Sequence, residues 1–208
     1  IYRMQEGIEN IEKNKEVFNR CYQILAQNQS IAIFPEGNCE RESKLRPLKK
    51  GTARIAHGAL ESFNFNKDLY ITCAGLNYDD PDNLNSEVLI NFNAPMLVNR
   101  YFESLKPLDS KQALQLTKDI ENSMDAVMYN VHDHENHQLF HFIKRNFLSL
   151  LISNKRSGQN EFDVVKKLSS KINTDKHGVD ELKKMAIPYL ELLNHHKLRE
   201  KHVTKYLV

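Results

Sequence analysis

The stretch that decides the fold runs from residue 31 to residue 57: Ile31-Ala32-Ile33-Phe34-Pro35-Glu36-Gly37-Asn38, then Cys39-Glu40-Arg41-Glu42-Ser43-Lys44-Leu45-Arg46-Pro47, then Leu48-Lys49-Lys50-Gly51-Thr52-Ala53-Arg54-Ile55-Ala56-His57. Its first four residues are apolar and β-prone, which predicts a short buried strand. Pro35 has no N–H to give a ladder, so the strand is expected to stop there. Glu36 and Gly37 then fall at the strand's carboxyl end, where open α/β sheets place their ligands. Gly37 allows a sharp turn or a close backbone approach. A cationic loop follows, and Gly51 opens a helix of small residues. Strand, acidic turn, basic loop and helix, in that order, suit an anionic substrate held beside a carboxylate.

On either side of this stretch the pattern continues. Residues 10–28 place Ile11, Phe18, Cys21, Tyr22 and Leu25 on one helical face. Residues 51–63 predict a second helix, rich in Ala53, Ile55, Ala56, Ala59 and Leu60. Leu69 to Ala74 reads as a buried strand ending at Gly75, and Asp79 to Asn83 as a polar turn. Glu87 to Phe92 reads as another strand, and Met96 to Val98 as extended chain. Strands alternating with helices over 1–107 predict an α/β domain with a largely parallel sheet flanked by helices.

After Pro107 the texture changes, with no Gly or Pro from Leu108 to Ser157. Helices are predicted over 110–131, with Leu114, Ile120, Met124, Val127 and Val131 inward, and over 136–153, with Leu139, Phe140, Ile143, Phe147, Leu150 and Leu151 inward. Ser157-Gly158 breaks the second of these. Further helices are predicted over 161–173 and 179–200, the last kinked or divided at Pro188. The expected organisation is therefore an α/β domain over 1–107 and an all-helical C-terminal region over 108–208.

Composition narrows the function. With 29 Lys/Arg against 27 Asp/Glu, the net charge of +2 gives no argument for nucleic acid. Residues 155–205 hold 12 Lys/Arg and 7 Asp/Glu, a local excess that can be a solvated helix surface or face acidic lipid head groups. Cys21, Cys39 and Cys73 are odd in number and far apart, which argues for a reducing compartment. No apolar run approaches the roughly 20 residues that a spanning helix needs. The chain begins at Ile1 inside what reads as the end of a strand, Ile1-Tyr2-Arg3, so it is taken as a piece of a longer protein.

Phe34-Pro35-Glu36-Gly37, followed by Leu45, Pro47-Leu48-Lys49, Gly51 and Ala53-Arg54-Ile55-Ala56, resembles the PlsC-type glycerol-3-phosphate and 1-acylglycerol-3-phosphate O-acyltransferases. Arg3 matches the arginine of the family's preceding block, and Gly75-Leu76-Asn77-Tyr78 and Phe92 to Pro95 resemble the blocks after it. The resemblance covers about residues 1–100. It implies that a histidine deprotonates a glycerol hydroxyl, which attacks an acyl thioester. That histidine and its orienting aspartate come from a His-x4-Asp block placed before the arginine. No histidine in this sequence has an Asp five positions later, so the resemblance assigns no catalytic residue within the chain, and the chain alone is expected to be inactive.

What the resemblance does assign is the acceptor half of the site. Arg3 and Lys49 are implied to bind the phosphate through charge-assisted hydrogen bonds. Glu36 with Gly37 is implied to hold a glycerol hydroxyl or brace a cation, and Arg41 and Arg46 are secondary phosphate candidates. Cys39 stands where many members carry arginine, Cys73 where proline is usual and Asn93 where glycine is common. The implied co-substrate is acyl-CoA or acyl-carrier protein, with no metal or other cofactor. The implied setting is peripheral, on the cytoplasmic face of a membrane.

Other readings start from other residues. Cys39 beside cations could be a nucleophile, but no partner histidine can be assigned. His132, His134, His137 and His141 have spacings that zinc ligands use, without an acidic or Cys cluster to complete them. His195-His196 is expected to face solvent, and Arg54 to form a structural ion pair. The alternative function is a non-catalytic module whose basic helical tail docks a protein or an acidic membrane.

Overall fold

The computed structural model describes residues 8–37, 44–78, 87–102, 106–153 and 160–196. Ile1 to Arg3, Cys39, Arg41, the Asp79–Asn83 turn and Ser157-Gly158 lie outside the described residues. Six helices are described: α1 (Ile8–Ala26), α2 (Gly51–Ser62), α3 (Ser110–Val127), α4 (His137–Ser153), α5 (Glu161–Thr174) and α6 (Lys176–His195). Four strands accompany them: β1 (Tyr70–Ile71), β2 (Ala74–Tyr78), β3 (Val88–Phe92) and β4 (Met96–Leu97).

These strands do not make the largely parallel sheet expected from the sequence. β1 pairs with β4 antiparallel, Tyr70 opposite Leu97 and Ile71 opposite Met96. β2 pairs with β3. Asn93 N–H donates to Cys73 O at 3.0 Å and the Asn77 amide to Leu89 O at 3.4 Å, so one chain advances as its partner retreats. The connection from Tyr78 to Val88 is too short for the helical crossover that parallel neighbours require. Gly75, expected to end a strand, lies inside β2. Residues 31–34 join no ladder among the described residues. Ile31 and Ile33 are half-buried while Ala32 and Phe34 are exposed. The apolar run thus buries only alternate residues, and its one-sided burial is the period-two signature that its uniform composition hid.

The described chain separates into two compact units. The first draws on the ranges 1–39, 45–75 and 91–127, the second on 40–44, 76–90 and 128–208. α3 therefore belongs with the first unit, not with a helical region starting at 108. Its Ala113, Leu116 and Ile120 share one core with Ala53, Ala56 and Leu60 of α2 and with Cys73, Val98 and Phe102. Leu114, expected inward, is exposed, because the buried face runs through 113, 116, 117 and 120 instead. Side chains then fix the irregular parts. Asn99 accepts from Leu69 N–H and donates to Lys67 O, both at 2.9 Å. Asn93 donates to Ser123 Oγ at 2.9 Å, tying the end of β3 to α3. The Tyr101 hydroxyl donates to Asp119 at 2.8 Å, and burial and this bond push its pKa up to about 12.

In the second unit, α3's predicted continuation to 131 is absent. The chain leaves the helix after Val127, and Tyr129 and Val131 enter a core with Leu139 and Phe140 of α4, Val165 and Ile172 of α5, and Val179 and Ala186 of α6. A buried loop needs partners for its backbone. Asn77 Oδ1 accepts from Tyr129 N–H at 2.6 Å, and Lys166 donates to Met128 O at 2.7 Å. Asn173 donates to Asn130 O at 2.7 Å and accepts from His132 N–H at 2.9 Å. α5 opens with a capping box in which Asn160 and Asp163 satisfy each other's backbone. Pro188 sits inside α6 without dividing it. Among the described residues no helix is long and apolar enough to cross a membrane.

The α1–α2 packing in the first unit rests on a close approach. A Cβ added at Gly58 would collide with the hydroxyl end of the Tyr22 ring. Gly58→Ala is therefore expected to destabilise the chain by about 1–3 kcal/mol, as overpacking does. Urea denaturation checks this. Tyr22→Ala is expected to make the second substitution nearly silent, so that the two effects fail to add.

Candidate functional site

The site grows out of a turn. Pro35 fixes φ at the second position of Phe34-Pro35-Glu36-Gly37, and Gly37 N–H closes the turn on Phe34 O at 3.2 Å. Gly37 has φ +70°, a conformation that side chains rarely adopt. The turn is then tied to the chain entering α2, since Lys49 N–H donates to Pro35 O at 2.9 Å. The same bond brings the Lys49 side chain over the turn: its Cγ is 3.8 Å from where a Gly37 Cβ would stand. Lys49 is exposed, and no carboxylate pairs with it among the described residues.

Arg46 approaches the same turn from the loop. Pro47 holds Arg46 extended, and the Arg46 backbone N–H hydrogen-bonds the Glu36 carboxylate, with the guanidinium close enough to act on it. Burial of the half-buried Glu36 nonetheless dominates and raises its pKa above the ordinary 4.5, against the lowering by Arg46. Immediately beyond lies the amino end of α2. Lys50 caps it with no side-chain hydrogen bond, and its first turn carries no acid. The positive end of the helix dipole thus adds to Lys49 and Arg46 rather than being neutralised. A turn with one carboxylate, two cations and an open helix start can hold a polyol bearing an anion.

The structure accordingly brings Glu36, Gly37, Arg46 and Lys49 together, while Arg3 and Arg41 lie outside the described residues. Sequence reading ranked Arg46 for its guanidinium and missed its main-chain N–H; the following proline was the available signal. Arg54 is exposed on α2. His57, at the end of the motif, is buried with its ring edge-on to Phe102 at 5.0 Å. Its Nε2–H donates to Lys106 O at 3.2 Å, and Nδ1 lies 3.4 Å from Glu61. Both ring nitrogens are thus occupied by the scaffold. Of the four histidines considered for a metal, His137 is buried and donates from Nε2 to Val131 O at 2.9 Å. No group of three or more His, Cys, Asp or Glu able to hold a metal occurs among the described residues.

Residues 2–74 match the family model described as Acyltransferase. The chain is 29% identical over 135 residues to glycerol-3-phosphate O-acyltransferase 2 of Saccharomyces cerevisiae, covering 64% of this chain and 18% of that protein. It is 28% identical over 139 residues to glycerol-3-phosphate O-acyltransferase 1 of the same yeast, again covering 64% and 18%. An uncharacterized acyltransferase of Schizosaccharomyces pombe is 29% identical over 123 residues, covering 57% and 18%. The chain thus spans less than a fifth of the length of the curated relatives it matches. No solved structure matches it.

The raised pKa of Glu36 has a sign that can be tested. A carboxyl whose folded value lies above its unfolded value contributes stability that is fully present below about pH 4.5 and is lost as pH rises through the folded value. Glu36→Gln cannot titrate. Its stability relative to the parent chain is therefore expected to improve as pH rises from below 4.5 toward neutrality, measured by urea midpoints at each pH. Parallel pH curves would contradict the burial of this carboxyl.

Proposed function

We propose that residues 2–74, which match the family model described as Acyltransferase, form part of a PlsC-type acyltransferase, and that the protein carrying this chain moves a fatty acyl group from a thioester to a hydroxyl of glycerol-3-phosphate or 1-acylglycerol-3-phosphate. The donor is acyl-CoA or acyl-carrier protein, and the product enters phospholipid synthesis. This chain supplies the acceptor's seat. The observation that carries the reading is Lys49, held by its own backbone against the Phe34–Gly37 turn, with its ammonium left for a ligand.

The division of labour follows from charge. Lys49 and the guanidinium of Arg46 meet the phosphate dianion, aided by the amino end of α2. Glu36, braced by the Arg46 N–H, accepts a hydrogen bond from a glycerol hydroxyl and so selects a polyol phosphate over inorganic phosphate. Arg3 joins the phosphate from the family's preceding block, with Arg41 as a further cation. The general base belongs to a His-x4-Asp block, which this sequence does not contain. An acylated product partitions into lipid, which supports work at the cytoplasmic face of a membrane.

In the full-length protein, Lys49→Ala is expected to raise KM for glycerol-3-phosphate about tenfold or more, the loss of one ionic hydrogen bond. KM for the thioester should move less than about twofold, since the substitution leaves donor contacts alone. Steady-state kinetics with each substrate varied in turn checks this. Equal effects on both substrates, or on neither, would remove Lys49 from the acceptor site.

A further inference from the structure

We propose that Lys50 and Arg54, on the exposed side of α2, form a second anion seat that takes the phosphates of coenzyme A, so that the thioester donor is acyl-CoA and not an acyl-carrier protein. The role given to the ligand rests on the acyl-transfer reading; the geometry rests on α2 alone.

The two cations stand one helical turn apart. Arg54 N–H donates to Lys50 O at 3.1 Å, which stacks residue 54 over residue 50 on one side of the helix. Both are exposed, and neither has a carboxylate at ion-pair distance among the described residues. The structural ion pair expected of Arg54 is therefore not made there. Nor do these side chains serve the helix. Lys50 stands at the cap without a side-chain hydrogen bond, and no acid lies in the first turn. Cations at the amino end of a helix oppose its dipole, and like charges four residues apart repel. Positive side chains placed where they weaken the helix, with no compensating contact, mark a binding role.

The extent of the charge selects the ligand. Along the same side of α2 come His57, which is buried, and then Glu61, whose side chain is 52% exposed. The positive face is thus about one turn tall, roughly 5 Å, and is bounded by an acid. That suits a compact phosphate group, which a guanidinium and an ammonium hold through charge-assisted hydrogen bonds. An acidic protein surface large enough for a stable complex covers several turns and would bring like charge onto Glu61. Lys49 lies against the Phe34–Gly37 turn and is assigned to the acceptor. Consecutive residues thus seat the phosphates of two substrates, and the flexible pantetheine arm returns the thioester toward the acceptor hydroxyl.

The test begins with the 208-residue chain and coenzyme A, read by isothermal titration calorimetry. Saturable binding is expected, weakened about tenfold or more by Lys50→Ala with Arg54→Ala. Lys50→Arg with Arg54→Lys keeps both charges and should bind within about threefold of the parent. Lys111→Ala with Lys118→Ala removes two exposed cations of α3 instead and should leave binding unchanged, so that net charge is not the cause. Pantetheine, which carries no phosphate, should not bind. In the full-length protein, Lys50→Ala with Arg54→Ala should raise KM for acyl-CoA about tenfold and move KM for glycerol-3-phosphate less than about twofold, the reverse of the Lys49→Ala pattern. Absence of coenzyme A binding would overturn the proposal, as would undiminished binding by the alanine variant or displacement by an equal concentration of inorganic phosphate. A raised KM for acyl-carrier protein with acyl-CoA unaffected would also overturn it and make the face a protein contact. A full-length parent without acyl transfer would refute the acyl-transfer reading instead, and coenzyme A binding by the chain would still decide this seat.

Discussion

One backbone hydrogen bond, Lys49 N–H to Pro35 O, holds the first unit's site together. It joins a turn shaped by Pro35 and Gly37 to the root of α2. α2 in turn is anchored by Ala53, Ala56 and Leu60 in the core it shares with α3. A cation that would otherwise sample many rotamers at the surface is thereby given a fixed origin. The side chain keeps its freedom while its Cα does not, so an ammonium can follow a phosphate without the scaffold yielding. The carboxylate opposite is held the same way, by the main-chain N–H of Arg46. Both functional groups are thus positioned by main-chain atoms, which no substitution other than proline removes.

The second unit solves a different problem. Its core is entered by the irregular chain from Met128 to His132, whose peptide groups would be costly to bury unpaired. Side chains from β2 and α5 supply the missing partners, while Tyr129 stacks on Phe162 at 5.2 Å and carries the Lys144 ammonium over its face at 5.3 Å. In this unit side chain to backbone bonds carry an irregular loop into a core otherwise built from apolar helix faces. No local pattern announces such bonds.

Much of the fold was legible for that reason, and the remainder was not. Helices declared themselves because their apolar spacing persists over several turns, and α2, α4 and α5 fall within a residue or two of their expected limits. The turn at Phe34–Gly37 was legible because proline and glycine act locally. Sheet partners were not, because composition says that a segment is extended and not what lies beside it. The sequence pattern placed Leu114 and Phe147 inward by counting apolar residues; which of two adjacent faces is buried depends on the neighbouring helices. α3 stops at Val127, and Tyr129 and Val131 lie in the second core instead of continuing its helical stripe. At the site, Lys49 and Glu36 were visible as residue types at known spacing, whereas the Arg46 N–H left only the indirect mark of Pro47 after it, since every residue but proline carries one.

Cys73 lends the first unit a native gauge of its own opening. Its thiol is buried beside Ile120 O, and burial raises its pKa, so it is slow to meet a reagent while the α2–α3 core is shut. Cys21, on the half-buried face of α1, gives a reference within the same unit. The ratio of their labelling rates therefore reports how often that core breathes, without any probe being added to the chain.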